Sequence, residues 1–225
     1  MDLLRVLREA FPQLLSGLWN TAWMTVISLA IAVFLGLFAC LMGFSKSKLV
    51  NGISKFYVWI IRGTPLMVQS FFIYFGVPQL IQSFGIDFRL TANSAGIITL
   101  SLNAGAYISE LFRGGIQAVD PGQMEAARSL GLSYGRAMAR VILPQAIRIS
   151  IPSLVNQFII TLKDTSIISA ISFAEIVYEA KIYIGRTMES FATWTVVAVM
   201  YLIIVTALSK FSRYVEKRLS YDEKH

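Results

Sequence analysis

The residues best suited to do chemistry are polar and ionisable side chains inside otherwise apolar segments. Asn103, Tyr107 and Glu110 recur at spacings of four and three, which places them on one face of a helix. Such groups are costly in an apolar environment and usually mark a pathway or a paired contact. This face could line a cavity for a zwitterionic ligand, or it could hydrogen-bond to another helix. For Glu110, near the end of its segment, a structural or gating role is favoured.

A second polar set lies further along the chain. Asn156 and Lys163 are seven residues apart, as are Gln157 and Asp164, so each pair shares a helix face. The same two roles stay open here, and Glu110 and Lys163 are possible partners across a helix interface. The sequence KDTS, which begins at Lys163, predicts irregular backbone, which is tolerated at membrane depth only beside protein or a water-filled cavity.

The elements that position these residues follow from composition. The 225-residue chain is 56% hydrophobic with a mean hydropathy of +0.63, and its 15% of charged residues lies below the roughly 25% of soluble domains. Four stretches without Asp, Glu, Lys or Arg reach the roughly 20 residues that a helix needs to cross a bilayer. We therefore predict an all-α integral membrane protein with five spanning helices, at about 18–44, 65–84, 91–112, 149–171 and 191–211.

The distribution of basic residues predicts the orientation. Lys and Arg crowd the segments that follow the first, third and fifth predicted spans, for example at Lys46, Arg113 and Lys210, whereas the intervening loops hold few. Because cytoplasmic loops are enriched in these residues, the N-terminus is expected outside and the C-terminus in the cytoplasm. The net charge of +7 is thus a topology signal and does not indicate nucleic-acid binding.

Several other functions are excluded by what the sequence lacks. The single cysteine, Cys40, and the single histidine, His225, provide neither a disulfide framework nor a zinc-ligand set. The phosphate-binding pattern GxxxxGK[ST] is absent, so we expect no ATPase activity and no cofactor in this chain. Residues 1–225 are expected to form one membrane domain with its core at about 16–213. Pro144 and Pro152 predict breaks before the fourth span, and Thr64 with Pro65 predicts the start of the second.

A short polar helix interrupts this apolar chain at about 120–132, in the sequence DPGQMEAARSLG. Asp120 can cap it, Pro121 fits its first position, and Gln123 stands where a capping box places Glu or Gln. Gly131 supplies a left-handed stop. The topology places this helix in the cytoplasm. On physical grounds alone it could be an ordinary loop helix packed on its own protein.

The residues of this helix carry a resemblance. EAARSLG followed by RVILP resembles the EAA motif of type I ATP-binding-cassette (ABC) importer permeases. The stretches YVWIIRGTPLMVQ, SLNAGAYISELFRGGIQAVDPGQMEAA and LPQAIRISIPSLVNQFIITLKDTSI are similar to the polar amino-acid branch of that family. The resemblance implies the type I (MetI-like) transmembrane fold. It also implies that the short helix is a coupling helix that docks on an ATPase, through Asp120, Pro121, Gly122, Glu125, Ala126, Ala127, Arg128 and Gly131.

The resemblance also implies a set of partners. These are two ABC ATPase subunits that bind ATP and Mg, a second permease subunit, identical or paralogous, and an extracytoplasmic binding protein for a polar amino acid. The chain would lie in the bacterial cytoplasmic membrane, surrounded by lipid, and work by alternating access. In that setting Asn103, Tyr107, Glu110, Asn156, Lys163 and Asp164 are the candidate substrate-pathway residues. The alternative is an ion-coupled carrier or channel that needs no ATPase.

Overall fold

Residues 3–222 are described by a computed structural model, and within this range the chain forms helices and no strands. The helices are α1 (Leu3–Glu9), α2 (Phe11–Gly43), α3 (Lys48–Arg62), α4 (Leu66–Ser83), α5 (Ala92–Ala118), α6 (Pro121–Ser129), α7 (Tyr134–Ile171), α8 (Ile176–Thr187) and α9 (Ser190–Asp222). Both α4 and α7 contain a π-helical turn, at Phe72–Gly76 and Met138–Ile142. The predicted all-helical architecture is confirmed.

Four of these helices, α2, α5, α7 and α9, are each long and apolar enough to cross a bilayer. The pair α3 and α4 meets the same test only together, and its two members are bent by 106° at the break between them. Each of the five predicted segments lies on a helix. Helices α3 and α8 were not predicted, because the lysines of the first and the polar residues of the second resemble loop composition.

Local backbone differs from the prediction at three places. Pro65 does not begin α4 as its first helical residue but precedes it in an extended conformation, and the Thr64 hydroxyl donates to the Ile60 carbonyl instead of capping. Pro144 and Pro152 lie inside α7 without ending it, and the KDTS sequence is also helical, so the predicted breaks there were wrong. Proline is tolerated within membrane helices because neighbouring groups and local π-helical adjustments satisfy the freed carbonyls.

Helices α2 and α5 form the centre of the fold because small residues let them approach closely. A Cβ added at Gly36 would lie 2.6 Å from Ile108 Cγ2 and 2.9 Å from the Gly105 carbonyl oxygen. Ala32 and Ala104 are also buried at this contact. Small residues are the usual means by which membrane helices gain van der Waals contact. Close packing against α2 therefore holds α5, which carries the first polar set, in a fixed position.

A second buried cluster joins the N-terminal helices to α8 and α9. Val6 and Leu14 pack against Ile176, Ala180 and neighbouring residues of these two helices. The segment that leads into α8 is also tied to α2, because the Asn20 amide donates to the Ala174 carbonyl at 2.7 Å. These contacts fix the start of α8.

Glu175 caps the start of α8 with a fully buried carboxylate. Its Oε1 accepts from the Tyr178 backbone N–H at 2.7 Å, and the Tyr201 hydroxyl donates to its Oε2 at 3.4 Å. Burial raises the pKa of the Glu175 carboxyl from 4.5 to about 7, although the backbone N–H groups of Val177 and Tyr178, the Tyr201 hydroxyl and the Lys181 charge all act to lower it. Burial prevails because removing a carboxylate from water costs more than these partners return.

This carboxyl should make stability depend on pH. The folded chain binds the proton more tightly than the unfolded chain, so the free energy of unfolding should fall as pH rises from about 4.5 to about 7 and then level off. Glu175→Gln keeps an acceptor for Tyr178 and cannot ionise. Between pH 5 and pH 8, the free energy of unfolding of this variant should therefore rise by roughly 1–3 kcal/mol relative to that of wild type, since one pKa unit is worth about 1.4 kcal/mol.

Thermal unfolding of the purified protein in detergent, measured at each pH, checks this expectation. Glu179→Gln is the matched control, because Glu179 lies one turn further along α8 and is only half-buried. If the difference in unfolding temperature between wild type and Glu175→Gln stays constant from pH 5 to pH 8, the Glu175 carboxyl does not titrate in this range and the expectation is wrong.

Candidate functional site

A cavity of about 350 Å³ lies between the α3–α4 corner, α5 and α7. Thr64 and Pro65 at its edge are exposed, whereas Asn103 and Gln157 are buried. The cavity therefore opens at the corner and reaches into the helix packing. Its lining residues are Thr64, Pro65, Leu66, Asn103, Tyr107, Gln157, Ile160 and Asp164.

Five of the six predicted substrate-pathway residues divide into two groups. Asn103, Tyr107 and Asp164 lie together in the cavity. Asn156 and Lys163 are exposed on another face of α7. One step along a helix turns the side chain by about 100°, so neighbours in sequence point in different directions.

Gln157 takes the place in the cavity that the sequence analysis assigned to Asn156. It is 5% exposed, and its amide lies 3.4 Å from the Thr161 hydroxyl, to which it donates. Its spacing of seven residues from Asp164 was the available signal, because that spacing puts both on one face. Sequence alone could not decide which of the two polar faces of α7 turns inward.

Glu110 is an ion-pair residue at the edge of this region. The Arg113 guanidinium donates to it with Nε at 3.0 Å from Oε1, and Arg62 Nη1 lies 3.2 Å from Oε2. The predicted pairing with Lys163 was therefore wrong. Arg62 also places its guanidinium carbon 5.3 Å from the centre of the Tyr107 ring. Glu110 thus joins α3 to α5 beside the cavity.

The chemistry of the cavity follows from its polar groups. Asp164 is its only charged lining residue among the described residues 3–222 and is half-buried on α7. The amides of Asn103 and Gln157 and the Tyr107 hydroxyl complete the polar lining. A carboxylate with neutral hydrogen-bonding groups can bind an ammonium group, because charge-assisted hydrogen bonds are the strongest that such a site offers.

The short polar helix, α6, begins as the sequence predicted. Asp120 Oδ1 accepts from the Gly122 backbone N–H at 2.6 Å, and Pro121 occupies the first helical turn, where its missing N–H costs no hydrogen bond. Gln123 differs from the prediction. Its Oε1 accepts from the Gln145 side chain of α7 at 3.3 Å, so it joins two helices instead of forming a capping box.

The end of α6 is a Schellman turn at Gly131. Gly131 has φ +84°, its N–H donates to the Arg128 carbonyl at 3.0 Å, and the Leu132 N–H donates to the Ala127 carbonyl at 3.2 Å. The Arg128 guanidinium donates in turn to the Leu132 carbonyl at 3.2 Å. The connection from α6 into α7 is therefore short and stabilised by three hydrogen bonds.

Helix α6 has an inner and an outer face. Ala127 is 4% exposed, and Met124 packs on the cluster formed with α7. Ala127 therefore contacts its own chain and is not free to contact a partner, unlike the exposed Glu125 and Ala126. Leu130, at the tip, is 85% exposed, and the sequence analysis did not single it out. The outer face thus offers small, charged and apolar groups side by side.

Comparison with known proteins identifies the family. Residues 32–221 match the family described as "binding-protein-dependent transport system inner membrane component". The chain belongs to this family. It is a membrane permease component of an ABC importer, a transport subunit and not an enzyme.

Curated relatives of the permease align over almost the whole chain. The chain is 37% identical over 213 residues to the glutamine transport system permease protein GlnP of Escherichia coli K12, which covers 93% of this chain and 94% of that protein. It is 36% identical over 212 residues to the probable amino-acid permease protein YxeN of Bacillus subtilis, with 94% and 93% covered.

Solved structures agree with the fold of the permease. The crystal structure of an amino acid ABC transporter with histidines superposes with a TM-score of 0.89 at 39% identity, covering 97% of this chain and 99% of that one. The MetNI methionine ABC transporter in an inward-facing conformation gives a TM-score of 0.75 at 18% identity, with 93% and 97% covered, and supports the fold alone.

Proposed function

We propose that this permease translocates polar amino acids across the bacterial cytoplasmic membrane by alternating access, driven by ATP hydrolysis in a separate subunit. The observation that carries the substrate class is the cavity that Asp164 shares with Asn103 and Gln157, because an α-ammonium group is common to all amino acids. The names of the relatives, which include glutamine and other amino-acid permeases, agree with this class. The whole chain, with its core at about 16–213, is taken as one permease domain.

The proposed role of α6 is to couple the cavity to the ATPase. Its outer face, with Glu125, Ala126 and the exposed Leu130, would dock on the ATPase, while Ala127 and Gln123 hold it to α7. From its start to Asp164, α7 extends over about 45 Å at a rise of about 1.5 Å per residue. A displacement of α6 would therefore move one wall of the cavity, because the connection between the helices is hydrogen-bonded and short.

The partners proposed for this assembly follow from the family. They are two copies of an ABC ATPase that bind ATP and Mg, a second permease subunit, identical or paralogous, and an extracytoplasmic amino-acid-binding protein. The cavity of one chain opens at its corner, which leaves a side that a second subunit could close.

Reconstitution tests the proposed function. The permease is purified with a co-expressed ABC ATPase and its binding protein, inserted into lipid vesicles, and given radiolabelled L-glutamine, L-histidine or L-arginine. We expect uptake of at least one of them that requires ATP inside the compartment corresponding to the cytoplasm. Uptake by vesicles that lack the ATPase but carry an ion gradient would instead support a carrier. Uptake of none of the panel would reject this substrate class.

The orientation is a proposal with its own test. With Cys40 replaced by Ala, Asp87→Cys in the exposed loop before α5 should react with an impermeant thiol reagent in intact cells. Lys46→Cys, between α2 and α3, should react only after permeabilisation, because basic loops are expected in the cytoplasm. The opposite labelling pattern would reverse the topology and place α6 outside.

A further inference from the structure

The α3–α4 corner creates a hydrogen-bonding requirement beside the cavity. Gly63, Thr64 and Pro65 separate two helices bent by 106°, and Pro65 contributes no N–H. The final turn of α3 therefore leaves carbonyl oxygens without their usual helical donors. In a membrane each such group has to be satisfied from within the protein.

One side chain of α4 meets this requirement. Gln69, 8% exposed, places its Nε2 at 2.7 Å from the Ile61 carbonyl, 2.9 Å from the Thr64 carbonyl and 2.9 Å from the Thr64 hydroxyl oxygen. An amide nitrogen has two N–H groups, so three acceptors share them. Gln69 thereby holds the end of α3 against the start of α4 and fixes the edge of the cavity.

The other end of the same amide contacts the cavity lining. Gln69 Oε1 accepts from Asn103 Nδ2 at 3.0 Å. The three acceptors around Nε2 fix which way the Gln69 amide points, and this in turn fixes Asn103, since the reverse orientation would set a carbonyl against a carbonyl. Asn103 Oδ1 has no hydrogen-bond partner within residues 3–222 and belongs to a cavity-lining side chain.

We infer that Gln69 is a positioning residue for substrate binding: it orients the Asn103 amide so that the carbonyl oxygen is presented to the ammonium group of the transported amino acid. Asn103 Oδ1 would thus add an acceptor beside the Asp164 carboxylate, while Asn103 Nδ2 donates to Gln69. This inference rests on the proposed function, since it concerns the same cavity.

The decisive variant is Gln69→Met, which keeps the length of the side chain and removes both the donor and the acceptor. We expect the concentration of radiolabelled amino acid that half-saturates the purified permease–ATPase complex to rise about tenfold, the size expected for one hydrogen bond to a charged group. The maximal rate of ATP hydrolysis should stay within about twofold of wild type, because the chemistry of hydrolysis lies in the other subunit.

Further variants separate positioning from support of the fold. Asn103→Ala should raise the half-saturating concentration similarly, and adding Gln69→Met to it should change that concentration by less than about twofold, because both act through one contact. Gln69→Glu keeps an acceptor for Asn103 but loses the donor to the Ile61 and Thr64 carbonyls, so the half-saturating concentration should stay raised about tenfold. Gln82→Met is the matched control, since Gln82 donates to the Phe88 carbonyl at the far end of α4.

The outcomes distinguish this inference from the proposed function. If Gln69→Met binds the amino acid like wild type, Gln69 has no positioning role. The same conclusion follows if the increases in half-saturating concentration caused by Gln69→Met and Asn103→Ala multiply in the double variant. Both outcomes leave the proposed function standing. A variant with lowered thermal stability but wild-type binding would overturn the role of Gln69 as well. If the wild-type complex assembles but binds none of L-glutamine, L-histidine and L-arginine, the substrate class fails, and the inference fails with it.

Discussion

Replacing Gly131 by Leu is expected to reduce ATP-driven uptake more than tenfold while the permease still inserts into the membrane. Gly131 has φ +84°, where a Cβ adds about 1–2 kcal/mol of strain. A Cβ there would meet no atom of residues 3–222 within 4 Å. The damage would therefore come from the altered turn and from bulk on the face proposed to dock, and not from a clash within the permease.

Two measurements check this expectation. The first is recovery of the ATPase with tagged permease, and the second is uptake of radiolabelled amino acid by reconstituted vesicles. Gly135→Leu is the control, because Gly135 lies four residues further on, is exposed, and has neither a positive φ nor any atom within 4 Å of an added Cβ. If Gly131→Leu recovers the ATPase and transports like Gly135→Leu, α6 is not the coupling element.

Replacing Asp164 by Asn is expected to weaken amino-acid binding about 10- to 100-fold and to raise the amino-acid concentration needed to stimulate ATP hydrolysis by the same factor. The variant keeps the size of the side chain and removes its charge, and a hydrogen bond to a charged group contributes about 1.5–3 kcal/mol. Asp164 is the one charged lining group of the cavity within residues 3–222, so no neighbour there replaces it. Basal ATP hydrolysis and assembly should remain, since both depend on other surfaces.

The other polar face of α7 provides matched controls. Lys163→Gln and Asn156→Leu alter exposed residues that do not line the cavity, and both should leave the affinity for the amino acid within about threefold of wild type, the scatter of remote substitutions. Asn103→Leu should behave like Asp164→Asn. If the Lys163 and Asp164 variants lose affinity for the amino acid equally, or if neither loses affinity, the cavity does not bind the transported molecule.

Prediction from the sequence succeeded where short-range physics dominates. The absence of charge over some 20 residues predicts which segments can enter the membrane, because charged groups are costly there, and each of these segments lies on a helix. The polar cap at Asp120 and the left-handed glycine at Gly131 fix the ends of α6, since both depend on hydrogen bonds within a few residues. The resemblance carried by EAARSLG and the flanking motifs supplied the family.

Prediction failed where a choice depends on distant parts of the chain. Lys163 was the possible partner predicted for Glu110, whereas the path of α3 across α5 brings Arg62 to it instead. Pro152 and the KDTS sequence, expected to break a helix, are both helical within α7. The 106° corner was not predicted either, because it brings Gln69 of α4 to Ile61 of α3 and to Asn103 of α5, which is distant in sequence.

The sequence by itself determined that this chain is an all-helical membrane protein with a delimited polar helix, since hydropathy and capping act locally along the chain. Only the tertiary structure decided which polar face of α7 turns inward. Asn156 and Gln157 are adjacent and both carry an amide, and the rotation of α7 against α5 exposes the first and buries the second. That rotation is set by packing across the interface, where Gly115 lies so close to α7 that an added Cβ would be 2.7 Å from the Ala146 carbonyl oxygen.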